Sequence, residues 1–134
     1  MRTTQLELVT PEALLMSEPV EMVVVPGVDG DMGVMADHAP TVSTLRPGLV
    51  NIYDDMSGPV SRQVFVAGGV AEISGESCII LAEEAVNLDD LSMEVAKSRL
   101  SEAEAAFASS NSDGEKAQAE SALQIAQAQV AALG

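Results

Sequence analysis

Residues 63–82 read Gln63-Val64-Phe65-Val66-Ala67-Gly68-Gly69-Val70-Ala71-Glu72-Ile73-Ser74-Gly75-Glu76-Ser77-Cys78-Ile79-Ile80-Leu81-Ala82. Three apolar runs of four or five residues, Gln63 to Ala67, Val70 to Ile73 and Cys78 to Ala82, are separated by Gly68-Gly69 and Ser74-Gly75. Runs this short between turn-forming pairs predict consecutive strands, because a helix needs a longer uninterrupted pattern.

Upstream, the same punctuation continues. Leu49 to Tyr53 lies between Pro47-Gly48 and Gly58-Pro59, Met22 to Val25 lies between Pro19 and Pro26-Gly27, and Leu6 and Leu8 alternate with Gln5 and Glu7. Of the sixteen glycines and prolines in the chain, fourteen lie at or before Gly75. Turn chemistry at this density predicts an N-terminal antiparallel β-sandwich or barrel over residues 1–86 rather than a wound α/β fold.

Downstream the period changes. Met93, Ala96, Leu100, Ala103 and Phe107 recur at alternating steps of three and four, as do Ala119, Leu123, Ala126, Val130 and Leu133. The polar stretch Ser109 to Gly114 separates them, so residues 87–134 are predicted to form a C-terminal antiparallel two-helix hairpin. Asp89 or Asp90 is the expected cap of the first helix, and Ser112 with Glu115 has the form of a capping box for the second. Alanine-rich stripes bury little area per residue, so the hairpin is expected to lean on another surface.

The 134 residues hold 21 acids and 6 bases, a formal charge of -15. That charge removes the electrostatic basis for binding nucleic acid or docking on anionic lipid. The apolar fraction, 47%, is ample for a core, and with only Tyr53, Phe65 and Phe107 as aromatics the core must be aliphatic. The acids are shared between the two parts: residues 1–82 carry eleven acids and three bases, and residues 83–134 carry ten and three. Cys78, the one cysteine, excludes an internal disulfide and is expected to be a buried small hydrophobe. No apolar run nears the roughly 18 residues needed to cross a membrane.

Few residues point to chemistry. Gly27, Gly30 and Gly33 follow a strand, but the lysine of a phosphate-binding loop is missing and no helix pattern follows, so a tight glycine loop is the expected role. His38, with Asp37 beside it, offers too few ligands for a metal site. Asp54-Asp55, Glu83-Glu84 and Asp89-Asp90 are adjacent pairs, which in an extended chain point to opposite faces and suit acid–base catalysis poorly. An enzyme is disfavoured; no catalytic residue, metal or cofactor is assigned.

Three blocks carry a resemblance. Val25-Pro26-Gly27-Val28-Asp29-Gly30-Asp31-Met32-Gly33-Val34, followed by His38-Ala39-Pro40 and Leu45-Arg46-Pro47-Gly48, is the first. Phe65 to Ile73 is the second, and Leu81-Ala82-Glu83-Glu84-Ala85 the third. In this order the chain resembles the epsilon subunits of rotary F-type ATP synthases, the delta subunits of mitochondria, along its whole length. The resemblance implies a non-catalytic subunit of the central rotor stalk, coupling rotation of the c-subunit ring to the catalytic head. The implied partners are the gamma subunit and the c-ring, with transient contact to the alpha and beta subunits, and the implied location is peripheral, on the cytoplasmic face of a bacterial inner membrane, reached only through the complex. Gly30, Asp31, Gly33 and His38 fall in the loop that resembles the family's ring-facing contact.

The departures lie in the hairpin. Many bacterial relatives begin the first helix with an Asp-x-x-Arg pattern that helps bind ATP. Here Asp89 stands in the acid position, but Ser92 replaces the arginine, which removes the best bidentate phosphate donor; Arg99 or Lys97 is the available substitute. Weak or absent ATP binding is expected. Some relatives also brake ATP hydrolysis with basic hairpin residues, whereas residues 83–134 carry a net charge of -7, so inhibition is expected to be weak. A free-standing small-ligand-binding β-sandwich with a dimerising helical hairpin is the alternative reading.

Overall fold

The computed structural model describes residues 2–134. The chain divides into two compact units, the first ending at Asn87 and the second spanning Leu88–Gly134.

The first unit holds ten strands: β1 Thr4–Val9, β2 Leu14–Val20, β3 Met22–Gly27, β4 Gly30–Val34, β5 Thr41–Leu45, β6 Gly48–Tyr53, β7 Arg62–Val66, β8 Gly69–Ile73, β9 Ser77–Ala82 and β10 Ala85–Asn87. They hydrogen-bond in the order β10-β7-β6-β3-β5-β8-β9-β1-β2, with β4 attached to β3. This is the expected β-sandwich. Alternation decides which face is inside: Leu6, Leu8, Val23, Val25, Val34, Val50, Ile52, Val64, Val66, Ile73 and Ile80 fill an aliphatic core. Cys78 is buried within it, as expected.

Every pairing is antiparallel except β1 with β9, which are parallel, Leu6 opposite Cys78 and Leu8 opposite Ile80. A parallel pair needs a long crossover, and here nearly the whole unit serves as that crossover, so local pattern alone leaves the pairing unassigned. The edges are tied by charge. Arg62 on β7 forms ion pairs with Glu18 on β2 and, at 3.1 Å, with Asp54. Strands from opposite ends of the order are thereby joined.

Four strands escape the sequence pattern. β2 lies on an edge, exposes most of its side chains and contains Pro19, which an edge strand tolerates. β5 alternates Val42 and Thr44 outward around Ser43, and β10 has only three residues. β4 was masked by its glycines: Gly30 and Gly33, expected in a loop, stand in a strand whose ladder to β3 supplies the register.

The second unit contains a 3-10 turn, Leu88–Asp90, then α1 Met93–Ala108 and α2 Asp113–Leu133. The expected cap is corrected. Asp89 and Asp90 belong to the 3-10 turn, and Ser92 caps α1, its Oγ accepting from the Val95 amide. The second cap is as expected, with Ser112 Oγ accepting from the Glu115 amide at 3.1 Å. The Glu115 carboxylate accepts from the Asn111 amide at 2.9 Å, one residue before the cap itself. Asp113 and Gly114 lie in the first turn of α2 rather than in the connection. Ala96, Ala103, Ala119 and Ala126 are buried as the stripes require, but Phe107 stays 40% exposed. Closely packed alanines leave no depth for a ring at the hairpin end.

Candidate functional site

Strand directions sort the connections of the β unit into two ends. Leu45 pairs with both Gly27 and Gly69, Gly69 pairs with Ala82, and Val9 pairs with Leu81. Hence the turns at residues 10–13, 28–29, 46–47, 67–68 and 83–84 gather at one end. Residues 35–40, 54–61 and 74–76 gather at the other, where the Asp37 amide donates to the Gly75 carbonyl at 2.8 Å.

At the first end β3 and β4 meet in a hairpin whose tip is Val28-Asp29, with Gly27 opposite Gly30. A Cβ at Gly27 would lie 2.7 Å from the Gly30 carbonyl oxygen and 3.2 Å from Ser43 Oγ, so the close approach needs glycine. Arg46 then binds the hairpin three times. Its amide donates to the Pro26 carbonyl at 2.9 Å, and its guanidinium donates to the Gly27 carbonyl and to Asp31 Oδ1, each at 2.6 Å. The Val28 amide donates to the Thr44 carbonyl at 2.9 Å. The result is a rigid turn with an exposed Val28 and an Asp31 whose charge is locally matched.

Beside it runs an apolar row. Thr44, Val70, Leu81, Val9 and Leu14 are successive partners across β5, β8, β9, β1 and β2, all on the outward face. Leu14 and Leu81 are exposed, as are Leu15 and Val42 next to the row. An outward row of this length suits a protein contact. Sequence reading missed it, because the row exists only once β1 is laid parallel to β9.

The expected contact loop is therefore corrected: it is not one loop. Gly30, Asp31 and Gly33 stand on β4, and His38 lies past the far end of that strand, which at a strand's rise spans roughly 13 Å. His38 Nδ1 is 2.7 Å from the Ala39 carbonyl oxygen. The hairpin candidates are also parted. Asp89 is exposed in the 3-10 turn, and Arg99 on α1 directs its guanidinium to Gln129 Oε1 at 3.3 Å. Lys97 is exposed on the same helix.

Elsewhere Asp55 is held by its own loop. The Ser57 hydroxyl and amide both donate to Asp55, at 2.7 and 2.9 Å, and these bonds hold its carboxyl below the usual carboxylate range. Burial pushes the Cys78 thiol up to about 12, which makes it inert. Among the described residues no three histidine, cysteine or acidic side chains group as a metal site, and no helix is long and apolar enough to cross a membrane.

Comparison with known proteins supplies the lineage. Residues 3–88 match the family model for the ATP synthase delta/epsilon chain β-sandwich domain. Over 130 residues the chain is 52% identical to an ATP synthase epsilon chain of Rhodospirillum rubrum, covering 97% of this chain and 96% of that one. It is 46% identical over 129 residues to an ATP synthase epsilon chain of Paramagnetospirillum magneticum, with 96% of each covered. A chain in the OSCP/F1/c-ring structure of the Euglena gracilis mitochondrial ATP synthase superposes with a TM-score of 0.84 at 29% identity, over 100% of this chain and 83% of that one. A chain in the central stalk/c-ring structure of the Tetrahymena thermophila mitochondrial ATP synthase shares the fold, with a TM-score of 0.70 at 13% identity over 98% and 96% of the two chains. With both its sandwich and its hairpin covered by such relatives, the chain belongs to the ATP synthase delta/epsilon family.

Proposed function

We propose that this chain is a non-catalytic coupling subunit of a rotary F-type ATP synthase, seated in the central stalk between the gamma subunit and the c-ring. The observation that carries the reading is the near full-length match, 52% identity over 97% of the chain, to an ATP synthase epsilon chain. Two surfaces of the β unit fit the role. The end built from the Gly27–Gly30 tip, with Asp31 and Gly33 on β4, is the edge presented to the ring, and the outward apolar row through Val70, Leu81, Val9 and Leu14 suits the gamma subunit. Contacts of this kind depend on shape and apolar area, which agrees with a chain of charge -15. His38, at the other end, lies outside the ring edge. The site is peripheral to the membrane, on the cytoplasmic face in a bacterium, and reached through the complex.

The hairpin takes a secondary role. Ser92 serves as a helix cap and Arg99 is engaged by Gln129, so neither supplies a phosphate donor beside Asp89, and ATP binding is weak or absent. Its net charge of -7 over residues 83–134 opposes docking on acidic surfaces of the alpha and beta subunits, so braking of ATP hydrolysis is weak. The experiment is affinity purification of the tagged chain from detergent-solubilised membranes: recovery with the gamma subunit and c-ring is expected. Recovery as a soluble homodimer without them would sink the reading in favour of a free-standing ligand-binding sandwich.

A further inference from the structure

We propose that Arg46 is the positioning residue of the ring-facing edge, and that Asp31 acts through it rather than by offering a free anion to the partner; this rests on the coupling role proposed above. The guanidinium fork spans two acceptors of one hairpin, the Gly27 carbonyl and Asp31 Oδ1, each at 2.6 Å. One acceptor precedes the turn and the other follows it, so Arg46 fixes the two strands of the tip to each other as well as to the β5–β6 connection. The Arg46 amide, donating to the Pro26 carbonyl at 2.9 Å, removes the remaining hinge.

This arrangement explains why the pair lies at the surface. Asp31 is 60% and Arg46 44% exposed at the side chain. An exposed ion pair contributes little to global stability, yet two parallel bonds from a planar donor set orientation closely. With its charge matched by Arg46, Asp31 presents no bare carboxylate. What the edge offers a partner is the turn itself, Val28 at its tip, held at a set angle. A rotor contact that transmits torque gains from such stiffness, since a mobile tip would have to be ordered at each encounter.

The test uses the intact ATP synthase in inverted membrane vesicles, with proton pumping per ATP hydrolysed measured at known occupancy of the chain. Asp31→Ala and Arg46→Ala are each expected to lower the pumping ratio about fivefold, the scale of a surface ion pair at its strongest. Arg46→Lys, which keeps the charge but cannot supply the planar fork, is expected to be intermediate. Asp31→Asn keeps an acceptor for the guanidinium without the charge and is expected to recover more than half of the Asp31→Ala loss. A normal ratio in Arg46→Ala, or an Asp31→Asn variant no better than Asp31→Ala, overturns the proposal, because a carboxylate touching the partner directly would be indifferent to Arg46 and harmed by loss of its charge. Loss of the unaltered chain from the complex would instead defeat the coupling role itself, a separate outcome.

Discussion

Gln129, 2% exposed in the alanine-lined second helix, accepts a hydrogen bond from the Arg99 guanidinium of the first helix at 3.3 Å. A buried amide with a single cross-helix donor sets the register of the hairpin, which small alanines specify poorly. Arg99→Ala leaves that amide oxygen without its side-chain donor and is expected to cost the hairpin about 1 kcal/mol, read by amide hydrogen exchange in α1 and α2. The same bond bears on nucleotide. Titration of the isolated subunit with ATP in a calorimeter is expected to give no tight binding, and a micromolar dissociation constant would overturn the reading that the hairpin lacks a phosphate donor.

Ser92, not Asp89, holds the cap of α1. Ser92→Ala is expected to destabilise α1 by about 1 kcal/mol through loss of the cap, whereas Asp89→Ala changes stability by less than about 0.5 kcal/mol. Helix content by circular dichroism and exchange at Val95 separate the two.

Gly69 permits no side chain. Its φ is +141°, and a Cβ there would sit 2.1 Å from the Leu81 carbonyl oxygen and 2.9 Å from the Ala82 Cα. Backbone on both counts cannot swing aside, so Gly69→Ala is expected to cost about 3 kcal/mol in urea unfolding.

Cys78 gives the β unit an alkaline limit. Its folded thiol titrates at about 12 against 9.0 when free. A raised value means that the stabilisation is complete below pH 9.0 and declines between 9.0 and about 12, as the unfolded thiol ionises while the folded one does not. Stability is expected to fall by about 1.4 kcal/mol between pH 7 and pH 10 from this group alone. Urea unfolding of Cys78→Ala at both pH values checks this, since the variant should lack that increment.

Truncation is best placed after Asn87, because Ala85–Asn87 pair with Val66, Phe65 and Val64 and complete the sheet. Removing residues 88–134 from the complex is expected to raise ATP hydrolysis less than about twofold, as the hairpin's like charge opposes a braking contact. A several-fold rise would overturn the weak-brake reading.

The two-part architecture was legible because periodicity survives without partners. Short apolar runs between Gly-Gly and Pro-Gly pairs, then steps of three and four from Met93 to Leu133, reflect local chain geometry, and the scarcity of aromatics already required an aliphatic core. The family was legible because Pro26-Gly27, Gly68-Gly69 and Leu81-Ala82 sit in tight turns and close strand contacts that few residues satisfy. Edge strands were not, since β2 and β10 need no strong pattern when the neighbouring strand supplies the ladder.

The candidate site divides in the same way. Sequence alone determined that Gly27 and Gly30 mark a tight turn, and that Ser92 stands where the resemblance expects an arginine. Only the tertiary structure decided that His38 lies at the opposite end from Asp31, that Asp31 is matched by Arg46, that Arg99 serves Gln129, and that Val70, Leu81, Val9 and Leu14 form one row. The last three of these depend on partners far apart in the chain, Asp31 with Arg46, Arg99 with Gln129 and Val9 with Leu81. A charge or a methyl group has no preferred distant partner until the core has chosen the register. Burial of the aliphatic face makes that choice, and the surface chemistry follows from it.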